Sequence, residues 1–265
     1  MNKTFNYFFL NIMNKIALIT GVTSGIGEAI SVNLVNIGYN VIITGRRNNR
    51  LLALKKKLES NGPKVLTLCF DVRKEEEVRN AIENLPDEWK NVDVLVNNAG
   101  LASGLSPIQE GDMDDWEKMI DTNVKGLLYV TRYVSPGMID RKKGHIVNIG
   151  SIAGKEVYPN GNVYCATKHA VDALSKAMRI DMLPHNVKVT QVCPGAVETE
   201  FSIVRFHGDT AKAAKVYEGY EYLIADDIAD CVSFAVTRPW RVNIYDMVVM
   251  PTAQASATLF HKVLS

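Results

Sequence analysis

The chain has no excess of charge: its 265 residues carry 30 Lys and Arg against 29 Asp and Glu, a formal +1 at pH 7. Without a basic field, neither the phosphates of a nucleic acid nor an anionic membrane has anything to bind, and neither is expected as a partner. Cysteine is scarce. Cys69, Cys165, Cys193 and Cys231 lie far apart with no C-x-x-C pair, which predicts buried reduced thiols in a cytoplasmic protein and argues against disulfides and zinc. His145, His169, His185, His207 and His261 show no H-E-x-x-H or related spacing, so no metal site is predicted. No apolar run approaches the length of about 20 residues that crosses a bilayer. The first dozen residues, with Phe5, Tyr7, Phe8 and Phe9 among polar neighbours, lack an A-x-A cleavage site and do not read as a targeting signal. Met13 stands directly before the first apolar run, so residues 1–12 are expected to be a disordered extension or a misassigned start. Linkers, internal repeats and low-complexity blocks are missing too, which leaves one domain over 13–250 and a tail over 251–265.

What the chain does have is alternation. Short β-branched runs at Ile16–Thr20, Val41–Thr44, Val65–Phe70, Val92–Val96, His145–Ile149, Val187–Val192 and Asn243–Val249 are separated by longer amphipathic stretches. Mostly apolar strands alternating with helices predict an α/β fold, a single-domain Rossmann-type doubly wound sheet of about seven parallel strands with helices on both faces. The charge runs Lys55–Lys57 and Glu75–Glu77 fall on predicted helices and read as solvated faces.

The first strand empties into Gly21-Val22-Thr23-Ser24-Gly25-Ile26-Gly27, just before a helix. Glycines allow a tight turn and a close approach to a pyrophosphate, and the free N–H groups and dipole of the helix favour its charge. The spacing is not G-x-G-x-x-G, so its place after the first strand carries the reading. An NAD site would place a carboxylate for the ribose 2′-hydroxyl at the end of the second strand. No Asp or Glu occurs from Ala29 to Leu58, and the strand ends in Gly45-Arg46-Arg47. Two guanidinium groups suit a 2′-phosphate, which points to NADP as the cofactor. Asn97-Asn98-Ala99-Gly100 follows the fourth strand, where small residues let the backbone pass beside a flat cofactor.

Ser151 follows the fifth strand, and Tyr164-x-x-x-Lys168 opens the next helix. Residues four apart share a helical face, so the ammonium is expected near the phenol, lowering its usual value near pH ~10 toward that of an acid/base group. Together with Thr20-Gly21-x-x-x-Gly25-Ile26-Gly27, Asn97-Asn98-Ala99-Gly100, Asn123 and Pro194-Gly195, in this order over about residues 15–250, the pattern resembles the short-chain dehydrogenase/reductase family. The resemblance implies Tyr164 as catalytic acid/base, Ser151 as hydrogen-bond partner of the substrate oxygen, and Lys168 as ribose ligand and tuner of Tyr164. It implies that Asn123, in the long helix after Trp116, holds a relay water. Asp71 and Val72 would border the adenine, and Pro194, Gly195, Val197 and Thr199 the nicotinamide.

The ending Met247-Val248-Val249-Met250-Pro251-Thr252-Ala253-Gln254, with Gly45-Arg46-Arg47 and Pro194 to Phe201, resembles the NADP-dependent 3-hydroxy acid and serine dehydrogenase branch. That implies oxidation of the 3-hydroxyl of small polar acids such as L-serine, L-allo-threonine or 3-hydroxypropionate, or the reverse reduction. A 3-oxoacyl thioester or general carbonyl reductase, and a non-catalytic NADP(H)-sensing protein, are the alternatives. A carboxylate substrate needs a cation; Arg205 is the candidate, with Lys155 behind it. Ala166, Ala170, Ala173 and Ala177 line the helix Asn162–Leu183, either as a subunit-pairing face or packed on their own sheet, and the resemblance implies a homotetramer.

Overall fold

The structure, a computed structural model, describes residues 15–263. The expectation for residues 1–12, with the alternative start at Met13, lies outside the described residues. The seven predicted strands form as β1 (Ile16–Thr20), β2 (Asn40–Gly45), β3 (Val65–Cys69), β4 (Val92–Asn97), β5 (Gly144–Ile149), β6 (Val187–Pro194) and β7 (Asp246–Val249). They make one sheet in the order β3-β2-β1-β4-β5-β6-β7, every pairing parallel. The order reverses between β1 and β4, and in such sheets a ligand crevice opens at the carboxyl ends beside that reversal.

Because the central strands are covered on both sides, β1 and β5 are buried at every residue. Helices α1 (Gly25–Asn36) and α2 (Asn48–Glu59) pack Ile30, Leu34, Leu51 and Leu58 on one face of the sheet. Helix α3 (Glu75–Glu83) packs Val78 and Ile82 on the other. The predicted long helix after Trp116 is divided into α4 (Met113–Ile120), a π turn (Asp121–Gly126) and α5 (Leu127–Asp140). Helix α6 (Asn162–Met182) follows β5, short helices α7 (Glu200–Arg205) and α8 (Thr210–Lys215) follow β6, and α9 (Ala225–Val236) precedes β7.

Two details differ most from the reading of the sequence, and a third point decides between its alternatives. Strand β7 begins at Asp246 and not Asn243. Thr190 Oγ1 donates to the carbonyl of Ile244, so a side chain takes a carbonyl that a regular ladder would use, and the ladder starts one residue on, where Gln191 N donates to the carbonyl of Tyr245, shared with Arg179 Nη2. Cys69 is exposed while Cys165 and Cys193 are buried, because β3 is an edge strand and Cys69 its last residue. The alanine face of α6 does not pack on the sheet: Ala166, Ala173 and Ala177 are exposed, beside exposed Ile180 and Leu183. Residues 251–263 lie back on the domain, with Ala257 N donating to Glu156 Oε2 and Val263 N to the carbonyl of Gly219. Among the described residues no helix is long and apolar enough to cross a membrane, and no group of His, Cys, Asp and Glu is placed to hold a metal.

Candidate active site

A cleft of about 560 Å³ runs along the carboxyl ends of the strands. Its floor is the turn between β1 and α1. Gly21 adopts φ +72°, and a Cβ there would lie 2.8 Å from Ala99 Cα; both facts require glycine. The two turns are stitched together: Thr20 Oγ1 accepts from the backbone N–H groups of Asn98 and Ala99, at 3.1 and 3.0 Å, and Asn98 Nδ2 donates to Thr20 O at 2.8 Å. Thr23, Ser24, Gly25, Ile26, Gly27, Asp71, Val72 and Gly100 complete this wall.

The arginines differ. Arg47 folds onto the turn, its Nε donating to Thr23 Oγ1 at 2.9 Å and its Nη2 to Ser24 Oγ at 3.0 Å. The Arg46 side chain is 55% exposed and reaches only Asp71, at 3.7 Å, while Asp71 is held more closely by Arg73 at 2.6 Å.

At the other end, Ser151, Tyr164 and Lys168 share the cleft with Pro194, Gly195, Val197 and Thr199. The turn carrying Ser151 lies so close to α6 that a Cβ on Gly154 would stand 2.5 Å from the carbonyl oxygen of Lys168. Asn123 lies behind the wall and is buried. Its Oδ1 accepts from Leu101 N at 2.8 Å, and its Nδ2 donates to Leu101 O at 2.8 Å and to Thr167 Oγ1 at 3.0 Å. The π turn brings that side chain to the cleft's rear, where a Cβ on Gly100 would meet both Asn123 Oδ1, at 3.3 Å, and Lys168 Nζ, at 3.6 Å.

The electrostatics bring a second cation to the Tyr-Lys pair. Burial pushes the Tyr164 phenol up, and what opposes this is first the charge of Arg205 and then a hydrogen bond from Ser151. Lys168 Nζ donates to Ile149 O at 3.0 Å and sits 5.9 Å from the Tyr164 ring centre, and burial lowers it to about 8. Arg205 lies nearer the same ring, with its Cζ 4.9 Å from the ring centre.

The sequence profile of the short chain dehydrogenase family matches residues 15–209. An NADP-dependent 3-hydroxy acid dehydrogenase, YdfG, of Salmonella typhi is 49% identical over 245 residues, 92% of this chain and 98% of that protein. This chain is a short-chain dehydrogenase. A sulfoacetaldehyde reductase of Chromohalobacter salexigens is 43% identical, over 92% of this chain and 96% of that protein. Among solved structures, the closed form of a serine dehydrogenase complexed with NADP+ superimposes with a TM-score of 0.89 at 45% identity, covering 94% of this chain and all (100%) of the other.

The family implies a bound dinucleotide, and the cleft of this dehydrogenase fits one. The floor is backbone at φ +72° and +59° for Gly21 and Gly25, the N-terminus of α1 opens onto it, and Asn98 and Gly100 leave no bulky side chain in the way.

The substrate end of the dehydrogenase holds residues the sequence did not single out: Tyr158, Phe201, Val204, Ala257 and Phe260. Arg205 Nη2 donates to Tyr158 OH at 2.6 Å. Its Nε is buried with no partner. Tyr158 lies flat on Gly161, where a Cβ would stand 2.1 Å from its ring, and a Tyr four residues before a helix start carries no pattern that could have flagged it. Lys155 is a different case. Its ammonium pairs with Asp172 and Asp246 and does not line the cleft, so it is not a second substrate cation; those carboxylates sit on α6 and β7, remote in sequence.

Proposed function

We propose that this dehydrogenase moves hydride between NADP(H) and the 3-hydroxyl or carbonyl of a small polar hydroxy acid of the serine, allo-threonine or 3-hydroxypropionate type. The observation that carries the reading is the grouping of Ser151, Tyr164 and Arg205 around one end of the cleft, with an Arg205 donor left unpaired. A buried guanidinium N–H without an acceptor is costly, and a substrate carboxylate beside Tyr158 would satisfy it with a charge-assisted bond. A sulfonate is chemically equivalent at this point, in keeping with the sulfoacetaldehyde reductase among the relatives.

Held in this cleft, a dinucleotide would supply the hydride chemistry at its nicotinamide. The chain supplies the proton and the geometry. Burial keeps the Tyr164 phenol protonated in the free protein, the form that protonates a carbonyl oxygen in the reductive direction. In the oxidative direction Tyr164 must take the hydroxyl proton, which nearby positive charge favours; Arg205 already acts in that sense. Ser151 Oγ accepts from Ala153 N at 3.1 Å and donates to the Pro194 carbonyl only at a long 3.5 Å, so its proton can turn to the substrate oxygen. Asn123, Lys168 and a water between them would carry the proton onward.

Arg46, with Arg47 and Thr23, is the seat proposed for the 2′-phosphate that distinguishes NADP from NAD. The exposed face of α6, with Met113, Ile120 and Leu128 exposed on α4 and α5, supports a homotetramer, and the free thiols support a cytoplasmic location. The test is to follow nicotinamide absorbance with NADP+ and NAD+ against L-serine, L-allo-threonine, 3-hydroxypropionate, isethionate and simple alcohols. Turnover of the acids with NADP+ is expected; equal turnover of neutral alcohols would reject the acid reading in favour of a general carbonyl reductase.

A further inference from the structure

Glu200 is the first residue of α7, directly after the N-cap Thr199, and its carboxylate does not face solvent alone. Its Oε1 accepts from Arg50 Nη1 at 2.8 Å, and its Oε2 from Arg50 Nη1 at 3.0 Å and from Arg47 Nη1 at 3.1 Å. Both arginines also hold the glycine-rich turn: Arg50 Nη1 donates to Thr23 O at 3.2 Å, and Arg47 Nη2 to the same carbonyl at 3.1 Å. An anion is thus seated on two guanidinium groups beside Thr23, at the carboxyl end of β2, where the adenosine ribose of a dinucleotide must lie. These two contacts hold the Glu200 carboxyl below its usual range, Arg50 contributing most.

We infer that Glu200 is a cofactor-specificity residue that acts as an internal stand-in for the cofactor's 2′-phosphate, with Arg50 as a third arginine of that seat. The inference rests on the proposed preference for NADP. The phosphate carries a charge of about −1.5 to −2 and several acceptor oxygens, so it outbids one carboxylate for the same N–H donors. The two anions repel if both stay on Arg47 and Arg50, so arrival of the phosphate displaces Glu200. A cofactor with a plain 2′-hydroxyl brings no competing anion and leaves Glu200 where it is. Glu200 therefore lowers the affinity for NADP while leaving that for NAD unchanged.

Calorimetric titration of the full chain with NADP+, NAD+ and adenosine 2′,5′-bisphosphate tests this without turnover. Glu200→Gln is expected to bind NADP+ and the bisphosphate about two- to fivefold more tightly, the scale of one exposed ion pair, with NAD+ unchanged. Arg50→Met is expected to weaken NADP+ binding severalfold and leave NAD+ alone. If Glu200→Gln binds NADP+ no better than the native chain, or if both dinucleotides shift together as they would if Glu200 merely strapped the cleft shut, the inference is wrong. A native chain that binds NADP+ and NAD+ alike overturns the cofactor reading itself and this inference with it; preference for NADP+ with an unresponsive Glu200→Gln overturns this inference alone.

Discussion

The two ends of the cleft are built differently. At the adenosine end the walls are backbone and short side chains from strand-to-helix turns, each turn a contiguous run such as Gly21–Gly27 or Asn97–Gly100. At the substrate end they are large side chains, Tyr158, Phe201, Arg205 and Phe260, brought from three segments that meet only in the folded chain. The first end is fixed by local stereochemistry and serves a ligand common to the family. The second is fixed by packing, and it is where we propose that the substrate is chosen.

Four experiments would break or sharpen that contrast. The largest effect is expected at the junction of the two ends: Tyr164→Phe should lower turnover by about 10²- to 10⁴-fold, as loss of a general acid/base does, with NADPH binding measured by fluorescence nearly intact. Equal loss of cofactor affinity would mean that the junction belongs to the adenosine end. Next, Arg205→Ala should raise KM for 3-hydroxy acids by about ten- to a hundredfold, the worth of a charged hydrogen bond, and leave neutral alcohols unaffected; a uniform rise for both would remove Arg205 from substrate recognition.

Gly21→Ala probes the opposite wall. The positive φ and the 2.8 Å approach to Ala99 Cα predict a loss of about 1–3 kcal/mol in stability, seen in denaturant unfolding, together with weaker binding of both dinucleotides. A variant of native stability would show that the turn has slack.

The last experiment concerns the amino ends of the strands, away from the cleft. His145, near the start of β5, is buried, its Nε2 within 2.8 Å of Thr190 Oγ1, and burial holds its imidazole down at about 3 against an ordinary 6.5. Between those values the unfolded chain binds the proton and the folded chain does not. Stability from this group is therefore fully present above about pH 6.5 and is lost as pH falls toward 3, by about 2 kcal/mol at pH 5. Unfolding midpoints measured from pH 7.5 to 4.5 should show this slope, and His145→Gln should flatten it; an unchanged slope in the variant assigns it to other groups.

How much could be read beforehand follows the same division. Strand β1 was legible to the residue because a strand buried on both faces is a bare apolar run bounded by Lys15 and Gly21. Gly45-Arg46-Arg47 was legible because the missing carboxylate is a local fact. The start of β7 was not, since whether Ile244 joins the ladder depends on Thr190, whose hydroxyl takes its carbonyl. Nor was the environment of Tyr164: helical spacing placed Lys168 on its face, but the depth of burial that lifts the phenol, and the arrival of Arg205 over its ring, arise from the packing of α7 on α6.

The order of residue types alone determined a parallel sheet, a phosphate-binding turn at its first strand, and a Tyr-Lys pair at the head of a helix. Period, glycine placement and missing charges act over a few residues, where the chain has few choices. Tertiary structure alone decided that Arg205 lies nearer the Tyr164 ring than Lys168 does, that Lys155 is neutralised by Asp172 and Asp246 while Arg205 keeps a free donor, and that Glu200 sits on Arg47 and Arg50. Each of these is a competition for partners between groups far apart in the chain, and only the completed packing sets which pair meets.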